Sequence, residues 1–215
     1  VVPIFVYPLV LERIGLQSYG FVITAQVAAS YTVFFVDLGL RTTLPRDIAK
    51  SRENRSKLSE IVSAALVIRF VMWIISLVLY LLIIPLFPMY DDNRLLLLFA
   101  FGITFNELLY PLYYFQGIEK MKFISLINIA TNSLYIFLVY FYLENADNAY
   151  FIPLFKGLSL LLGGVFSQFI VFGLHGLRFV FPTYKFCASL VKESRLIFLT
   201  DLLTTIKDKL GVFLI

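Results

Sequence analysis

Residues 61–87 read IVSAALVIRFVMWIISLVLYLLIIPLF, and Arg69 is the one charged side chain among them. A helix needs about 20 apolar residues to cross roughly 30 Å of hydrocarbon, so this run is long enough to span a membrane. Partial apolar runs begin and end the chain. Four more full runs are found at residues 19–40, 95–116, 123–143 and 151–176. The sequence therefore predicts an all-α integral membrane protein.

Composition supports a membrane environment and excludes several functional classes. The 215 residues are 60% hydrophobic and 15% charged, with a mean hydropathy of +0.88, outside the range of soluble domains. A single cysteine, Cys187, and a single histidine, His175, provide neither an internal disulfide nor a metal-ligand cluster. No catalytic Ser/His/Asp set or glycine-rich phosphate loop is found. We therefore expect no enzyme activity and no cofactor. Without an ATP site, any energy-requiring process would use a proton or sodium gradient, the substrate gradient or another protein.

Basic residues are divided unequally between the two sets of loops that alternating spans create. Cytoplasmic loops of membrane proteins carry an excess of Lys and Arg, so the larger set is predicted to be cytoplasmic. The net charge of +4 is therefore attributed to membrane topology and not to nucleic-acid binding. The larger set holds twelve basic residues: Arg41, Arg46, Lys50, Arg52, Arg55, Lys57, Lys120, Lys122, Arg178, Lys185, Lys192 and Arg195. The opposite loops hold Arg13 and Arg94, with the acidic residues Glu12, Asp91, Asp92, Glu144 and Asp147.

The chain is predicted to be a fragment with three parts. It starts without Met in an apolar stretch and stops inside another one. Residues 1–176 would form one helical bundle whose first helix is truncated. Residues 177–196, which are basic and amphipathic and carry Pro182, would form a cytoplasmic connection. Residues 197–215 would begin a second bundle, with a helix starting near Arg195.

Four short stretches carry a resemblance along most of the chain. They are RIGLQSYG at 13–20, DLGL at 37–40 followed by RDIAK at 46–50, PLYYFQGIEKM at 111–121 and KDKLG at 207–211. In this order they resemble the polysaccharide (O-antigen) flippase family of the multidrug/oligosaccharidyl-lipid/polysaccharide exporter superfamily. In one departure, Tyr113 and Tyr114 stand where such flippases often have a tryptophan before Phe-Gln-Gly.

The resemblance implies both a fold and a function. The fold would be the N-terminal lobe of a two-lobed transporter of twelve to fourteen helices in the bacterial inner membrane. The function would be flipping of undecaprenyl-pyrophosphate-linked oligosaccharide by alternating access, with membrane lipid and a polysaccharide polymerase machinery as further partners. A multidrug or cation antiporter and a peptidoglycan-precursor flippase of the same superfamily remain alternatives. A multi-span glycosyltransferase or polymerase is disfavoured by the short outer loops.

Ionisable residues inside spans are the first candidates for a site, because each costs roughly 2.5–3.5 kcal/mol to insert. Glu107, beside Asn106, is expected near mid-membrane, either as a cavity-facing carboxylate that binds a cation or proton or as the partner of a basic residue. Arg69 is expected two turns inside its span. There it would reach the interface, or face the cavity and grip a pyrophosphate with two hydrogen bonds. Lys156 would contact phosphate or anchor the outer interface.

A polar stripe is predicted on one face of the last helix, because its residues recur every three or four positions. They are Asp201, Thr204, Thr205, Asp208 and Gly211, flanked by Lys207 and Lys209. The stripe would line a substrate path or form a charge-paired helix contact. The site candidates on this helix are Asp201, Lys207, Asp208 and Lys209. Ser159, Gly163 and Ser167 predict a small-residue helix contact. Asn128 and Asn132 would bond to a neighbouring helix or face the cavity, with packing favoured. Asp37 would cap local backbone or hold Arg41 and Arg46 in place.

Overall fold

The computed structural model describes the backbone of residues 2–86 and 94–213 and the side chains of residues 8–86, 94–204 and 207. In these ranges the chain is helical, without strands. The α-helices are α1 Val2–Asp37, α2 Leu40–Lys50, α3 Arg55–Ile83, α4 Arg94–Ala100, α5 Phe105–Leu109, α6 Leu112–Gly117, α7 Met121–Tyr142, α8 Phe151–Gln168 and α9 Tyr184–Phe213. The loop with Asp91 and Asp92 lies outside the described residues.

Within the described residues, five helical stretches are long and apolar enough to cross a membrane, which confirms the predicted spans. They are Pro8–Lys50, Arg55–Leu86, Arg94–Gly117, Met121–Tyr142 and Ala146–Leu174. Large apolar side chains stay exposed on the outside of the bundle, including Leu82 on α3 and Ile129 on α7. Such a surface suits a hydrocarbon solvent, which does not drive apolar residues inward.

Two turns shape the first span. Gly15, with φ 75°, interrupts the backbone of α1 between residues 2–14 and 16–37. At the other end, Leu38 and Gly39 have positive φ and turn the chain from α1 into α2. A Cβ atom on Gly39 would lie 3.0 Å from the backbone of both Ser194 and Phe198 on α9. Only glycine therefore lets α9 approach this turn so closely.

The predicted span at residues 95–116 is present, but it is not one regular helix. It consists of α4, a 3₁₀ segment Phe101–Thr104, α5 and α6, and the backbone is extended at Tyr110 (φ −85°, ψ 106°). Pro111 causes the break because it disfavours helical geometry at the preceding residue and lacks an N–H. Carbonyls at the break are satisfied from other helices. Gln168 Nε2 donates to Leu109 O at 2.5 Å, and Arg69 Nη1 donates to Tyr110 O at 3.3 Å.

Small residues hold α7 and α8 close together, as the spacing predicted. Ser159 and Ser167 are buried, and a Cβ atom on Gly163 would lie 2.1 Å from a methyl carbon of Thr131 on α7. Gly157 of the same helix lies against Gly102 with similar tightness. Backbones can approach this closely only where side chains are absent or small.

The connection into the last helix differs from its prediction. Helix α9 begins at Tyr184, eleven residues before Arg195, so residues 184–196 are part of one long helix. The preceding segment lies along α3, where the backbone N–H groups of Arg178 and Val180 donate to the hydroxyls of Ser59 (3.1 Å) and Ser63 (3.0 Å). The basic residues of 184–196 indicated a cytoplasmic connection, and the helix was therefore expected to begin later. The division of the chain into two lobes stays a prediction.

Candidate functional site

Four charged residues from four helices meet where the third span is broken. Asp37 ends α1, Arg41 lies in the first turn of α2, Arg69 lies on α3, and Glu107 lies on α5 just before the break. We call these four residues the charge cluster. Two carboxylates and two guanidinium groups give it no formal net charge, which suits its position within membrane-spanning helices.

Arg69 is the most deeply buried member, with 1% of the residue exposed. Its Nη2 donates to Asp37 Oδ1 and lies 3.8 Å from Glu107 Oε2. Its guanidinium also lies 4.8 Å from the ring centroid of Tyr113. Removal of one partner from a buried ion pair typically costs about 3–5 kcal/mol, since the other charge is left uncompensated. Arg69 is thus fixed by the fold.

Of the two positions expected for Arg69, the structure shows a side chain that is buried in the bundle and paired with Asp37. Helix α3 begins at Arg55, six residues before the apolar run, so Arg69 lies fourteen residues into the helix. This places it about 21 Å along the helix axis from Arg55. Direct contact of Arg69 with substrate stays a prediction.

Glu107 pairs with basic residues and also borders open space, while its binding of a cation or proton stays a prediction. It is 7% exposed, and its Oε1 accepts a hydrogen bond from Asn106 Nδ2 at 3.1 Å. The same oxygen lies 3.8 Å from Arg41 Nη1. Asn106 therefore orients Glu107, while Arg41 and Arg69 flank it from two other helices.

Arg41 is the exposed cation of the cluster. From the sequence it was predicted only to be one of the twelve basic residues on the cytoplasmic side. Its side chain is 54% exposed. Its backbone N–H donates to both carboxylate oxygens of Asp37 at 3.2 Å, which confirms the predicted capping role of Asp37. The Arg41–Glu107 pair is long, and its Arg41 end is exposed although Glu107 is buried. The Arg41 side chain can therefore leave Glu107 and stay solvated, unlike that of Arg69.

Two cavities adjoin the cluster, and Arg41 and Glu107 line both of them. The smaller cavity, 240 Å³, is bordered by α9 and has Asp37, Thr42 and Asp201 in its wall. The larger one, 350 Å³, lies towards α7. Its polar wall residues besides Arg41 and Glu107 are Asn106, Tyr110, Gln116 and Asn128. Neither cavity has Arg69 in its lining. The Arg41–Glu107 pair is thus common to both cavities.

Of the remaining predicted site residues, some lie next to the charge cluster and others lie away from it. Asp201 lines the smaller cavity, next to the cluster, whereas Lys207 is exposed. The side chains of Asp208 and Lys209 lie outside the described residues. Lys156 Nζ donates to Asn132 Oδ1 at 3.0 Å and lies 4.9 Å from the ring centroid of Tyr135. The structure therefore places Lys156 between α7 and α8, where it joins helices.

The stretches RDIAK at residues 46–50 and FQGIEK at residues 115–120 pack against one another. A Cβ atom on Gly117 would lie 2.5 Å from Ile48, so α6 packs directly on α2. Arg52 Nε donates to Gly117 O at 2.9 Å, and Arg52 Nη2 pairs with Glu119 Oε1 at 2.5 Å. The hydrogen bond from Arg52 lowers the pKa of Glu119. These contacts fix α2, and with it Arg41, against the broken span.

Comparison with known proteins agrees with the resemblance in the motifs. The family model described as "Polysaccharide biosynthesis protein" matches residues 1–215. A protein of Escherichia coli (strain K12), described as "Putative O-antigen transporter", is 24% identical over 169 residues. That match covers 79% of this chain and 41% of the relative, so the chain spans less than half of the relative's length. No solved structure matches the chain.

Proposed function

Because the chain belongs to the polysaccharide biosynthesis protein family, we propose that it is the leading part of an exporter that flips a lipid-linked oligosaccharide across the membrane. It is a multi-pass protein of the bacterial inner membrane. The cargo is a large amphiphile, in which a sugar head is joined through pyrophosphate to a prenyl chain. Transport of such a molecule needs a hydrated path for the head beside a lipid phase for the tail.

The observation that carries this proposal is the charge cluster at the broken span, where Arg41 and Glu107 line two cavities. Irregular backbone within the membrane is tolerated where it is buried in protein or lines a water-filled cavity. In many transporters, discontinuous helices of this kind form the substrate or ion site near the midplane. Tyr110 and Pro111 supply such a break next to Glu107.

The mechanism we propose is alternating access between two helical bundles. The bundle formed by α1 to α8 would rock against a second bundle that begins with α9. Asp201 of α9 and Glu107 of α5 line the same small cavity, so the two bundles would move relative to one another at the charge cluster. Glu107 would bind the coupling proton or sodium ion, because its carboxylate borders both cavities.

A genetic experiment tests the proposal. Deletion of the full-length gene should remove a surface glycan while its lipid-linked precursor accumulates on the cytoplasmic side of the membrane. The wild-type gene should restore the glycan, and Glu107→Gln should restore it poorly at equal protein level. Glu53→Gln is the matched control because Glu53 is exposed and lies apart from the cluster in the basic loop. Unchanged glycan and no accumulated precursor would reject the proposal.

Cation antiport is the second candidate, and one feature favours it. Among the described residues, three carboxylates, those of Asp37, Glu107 and Asp201, line the smaller cavity, and Arg41 is the one basic residue there. Such a wall would suit a cationic drug or ion. Loss of resistance to cationic compounds in the deletion strain, with surface glycans intact, would support antiport over flipping.

A further inference from the structure

We propose that Arg41 is the residue of the charge cluster that binds a phosphate-type anion, and that it does so by exchanging its partner Glu107 for that anion. The anion subsite would be the larger cavity, between α2, the broken span and α7. This inference deepens the proposed function and rests on it for the source of the anion, which would be the pyrophosphate of a lipid-linked sugar. The cation itself is assigned from the geometry alone.

Exposure separates the two arginines of the cluster. The Arg41 side chain is 54% exposed and lines both cavities, whereas that of Arg69 is 1% exposed and lines neither. Arg69 donates to Asp37 and to the carbonyl of Tyr110, so binding an external anion would require it to release the end of α1 and the break in the span. Arg41 can turn towards a ligand without disturbing either helix.

The partner exchange leaves every charge compensated. The Arg41–Glu107 distance of 3.8 Å exceeds a normal hydrogen bond, so the pair is easily opened. After Arg41 leaves, Glu107 retains Arg69 at 3.8 Å and the amide of Asn106 at 3.1 Å. Arg41 then has its full fork of N–H donors available, which matches two phosphate oxygens at once.

The lining of the two cavities decides where the anion binds. Asp37 and Asp201 border the smaller cavity and would repel an anion there. The larger cavity instead offers the neutral side chains of Asn106, Gln116 and Asn128, whose amides can donate hydrogen bonds. Its volume of 350 Å³ is in the range of small-ligand sites. Glu107 is the acidic residue of this wall and competes with the anion for Arg41.

The experiment measures binding to the purified full-length protein in nanodiscs of neutral phosphatidylcholine. Two probes are used: farnesyl pyrophosphate, as a short lipid pyrophosphate, and inorganic pyrophosphate. Arg41→Gln should weaken binding about tenfold or more, because it removes charge-assisted hydrogen bonds. Glu107→Gln should strengthen binding several-fold, because it removes the competing carboxylate. Arg46→Gln is the matched control: Arg46 lies on the same helix, is exposed and pairs with its neighbour Asp47.

Opposite shifts for Arg41→Gln and Glu107→Gln, with the control unchanged, support the subsite. Tighter binding of farnesyl pyrophosphate than of inorganic pyrophosphate assigns it to a lipid headgroup, and equal binding assigns it to the phosphate groups alone. Unchanged affinity in Arg41→Gln, or weaker affinity in Glu107→Gln, overturns the inference. The proposed function fails separately, if Arg41-dependent binding occurs but the protein flips no lipid-linked oligosaccharide.

Discussion

Arg69 of α3 donates a hydrogen bond to the carboxylate of Asp37, the last residue of α1, inside the helical bundle. This pair joins two consecutive spans at a depth where a single charge would be unfavourable. Asp37 also accepts from the first turn of α2 through the backbone N–H of Arg41. The buried carboxylate of Asp37 therefore joins helices α1, α2 and α3, and it holds the backbone from which the exposed Arg41 side chain extends.

Loss of the buried pair should destabilise the protein. We expect Arg69→Gln to lower the free energy of unfolding by about 3–5 kcal/mol, since Asp37 would stay buried without its counter-charge. The double variant Arg69→Gln with Asp37→Asn should lose less than the sum of the two single variants. Thermal unfolding of the full-length protein in detergent measures both effects. An unchanged melting temperature in Arg69→Gln would contradict the structural role of this residue.

Packing of α9 on the α1–α2 turn can be tested by comparing two glycine-to-alanine substitutions, one in the turn and one in α1. Gly39→Ala should destabilise the protein by about 1–2 kcal/mol or more, because φ is 76° there and the added Cβ would lie 3.0 Å from the backbone of α9. Gly20→Ala, in a helical part of α1 with open space around it, should be neutral or slightly stabilising. Equal effects at the two positions would show that α9 does not pack on the turn as described.

Orientation can be tested by labelling single cysteines in a Cys187→Ala background. Ser56, exposed in the first turn of α3 next to the basic loop, is predicted to be cytoplasmic, and Asn145, exposed beyond α7, is predicted to face outwards. An impermeant maleimide should therefore label Asn145→Cys in intact cells and label Ser56→Cys only after permeabilisation. The reverse pattern would overturn the twelve-to-two assignment of the loops.

His175 should make the cytoplasmic end of the bundle sensitive to acid. Burial, with Lys120 and Arg55 nearby, lowers the pKa of His175 below its ordinary value of about 6.5. The folded state therefore disfavours the protonated ring, and stability should fall as pH drops through about 6.5 towards the lower folded pKa. His175→Gln should remove this part of the pH dependence of unfolding. Its persistence in the variant would assign the acid sensitivity to another group.

The sequence predicted the spans well because apolar runs of sufficient length are a property of local composition. Hydropathy alone did not reveal the break at Tyr110, although Pro111 is a sequence signal for it because proline disfavours helical geometry at the preceding residue. The sequence did not reveal the pairing of Arg69 with Asp37, because pairing depends on the rotation and depth of two helices relative to one another. Glu107 was found because an acidic residue within a span is rare. Arg41 was missed because a cation at a span end serves topology equally well.

The measurement that tests the function most directly is translocation by the purified full-length protein in liposomes. The substrate is the lipid-linked oligosaccharide that accumulates in the deletion strain, loaded in both leaflets, and an impermeant glycosidase added outside reports which sugars are accessible. We expect the wild-type protein to make the inner-leaflet sugars accessible and Arg41→Gln to do so more slowly. Sugars that stay protected at the level of protein-free liposomes, with folded protein present, would contradict the assignment of this protein as a flippase.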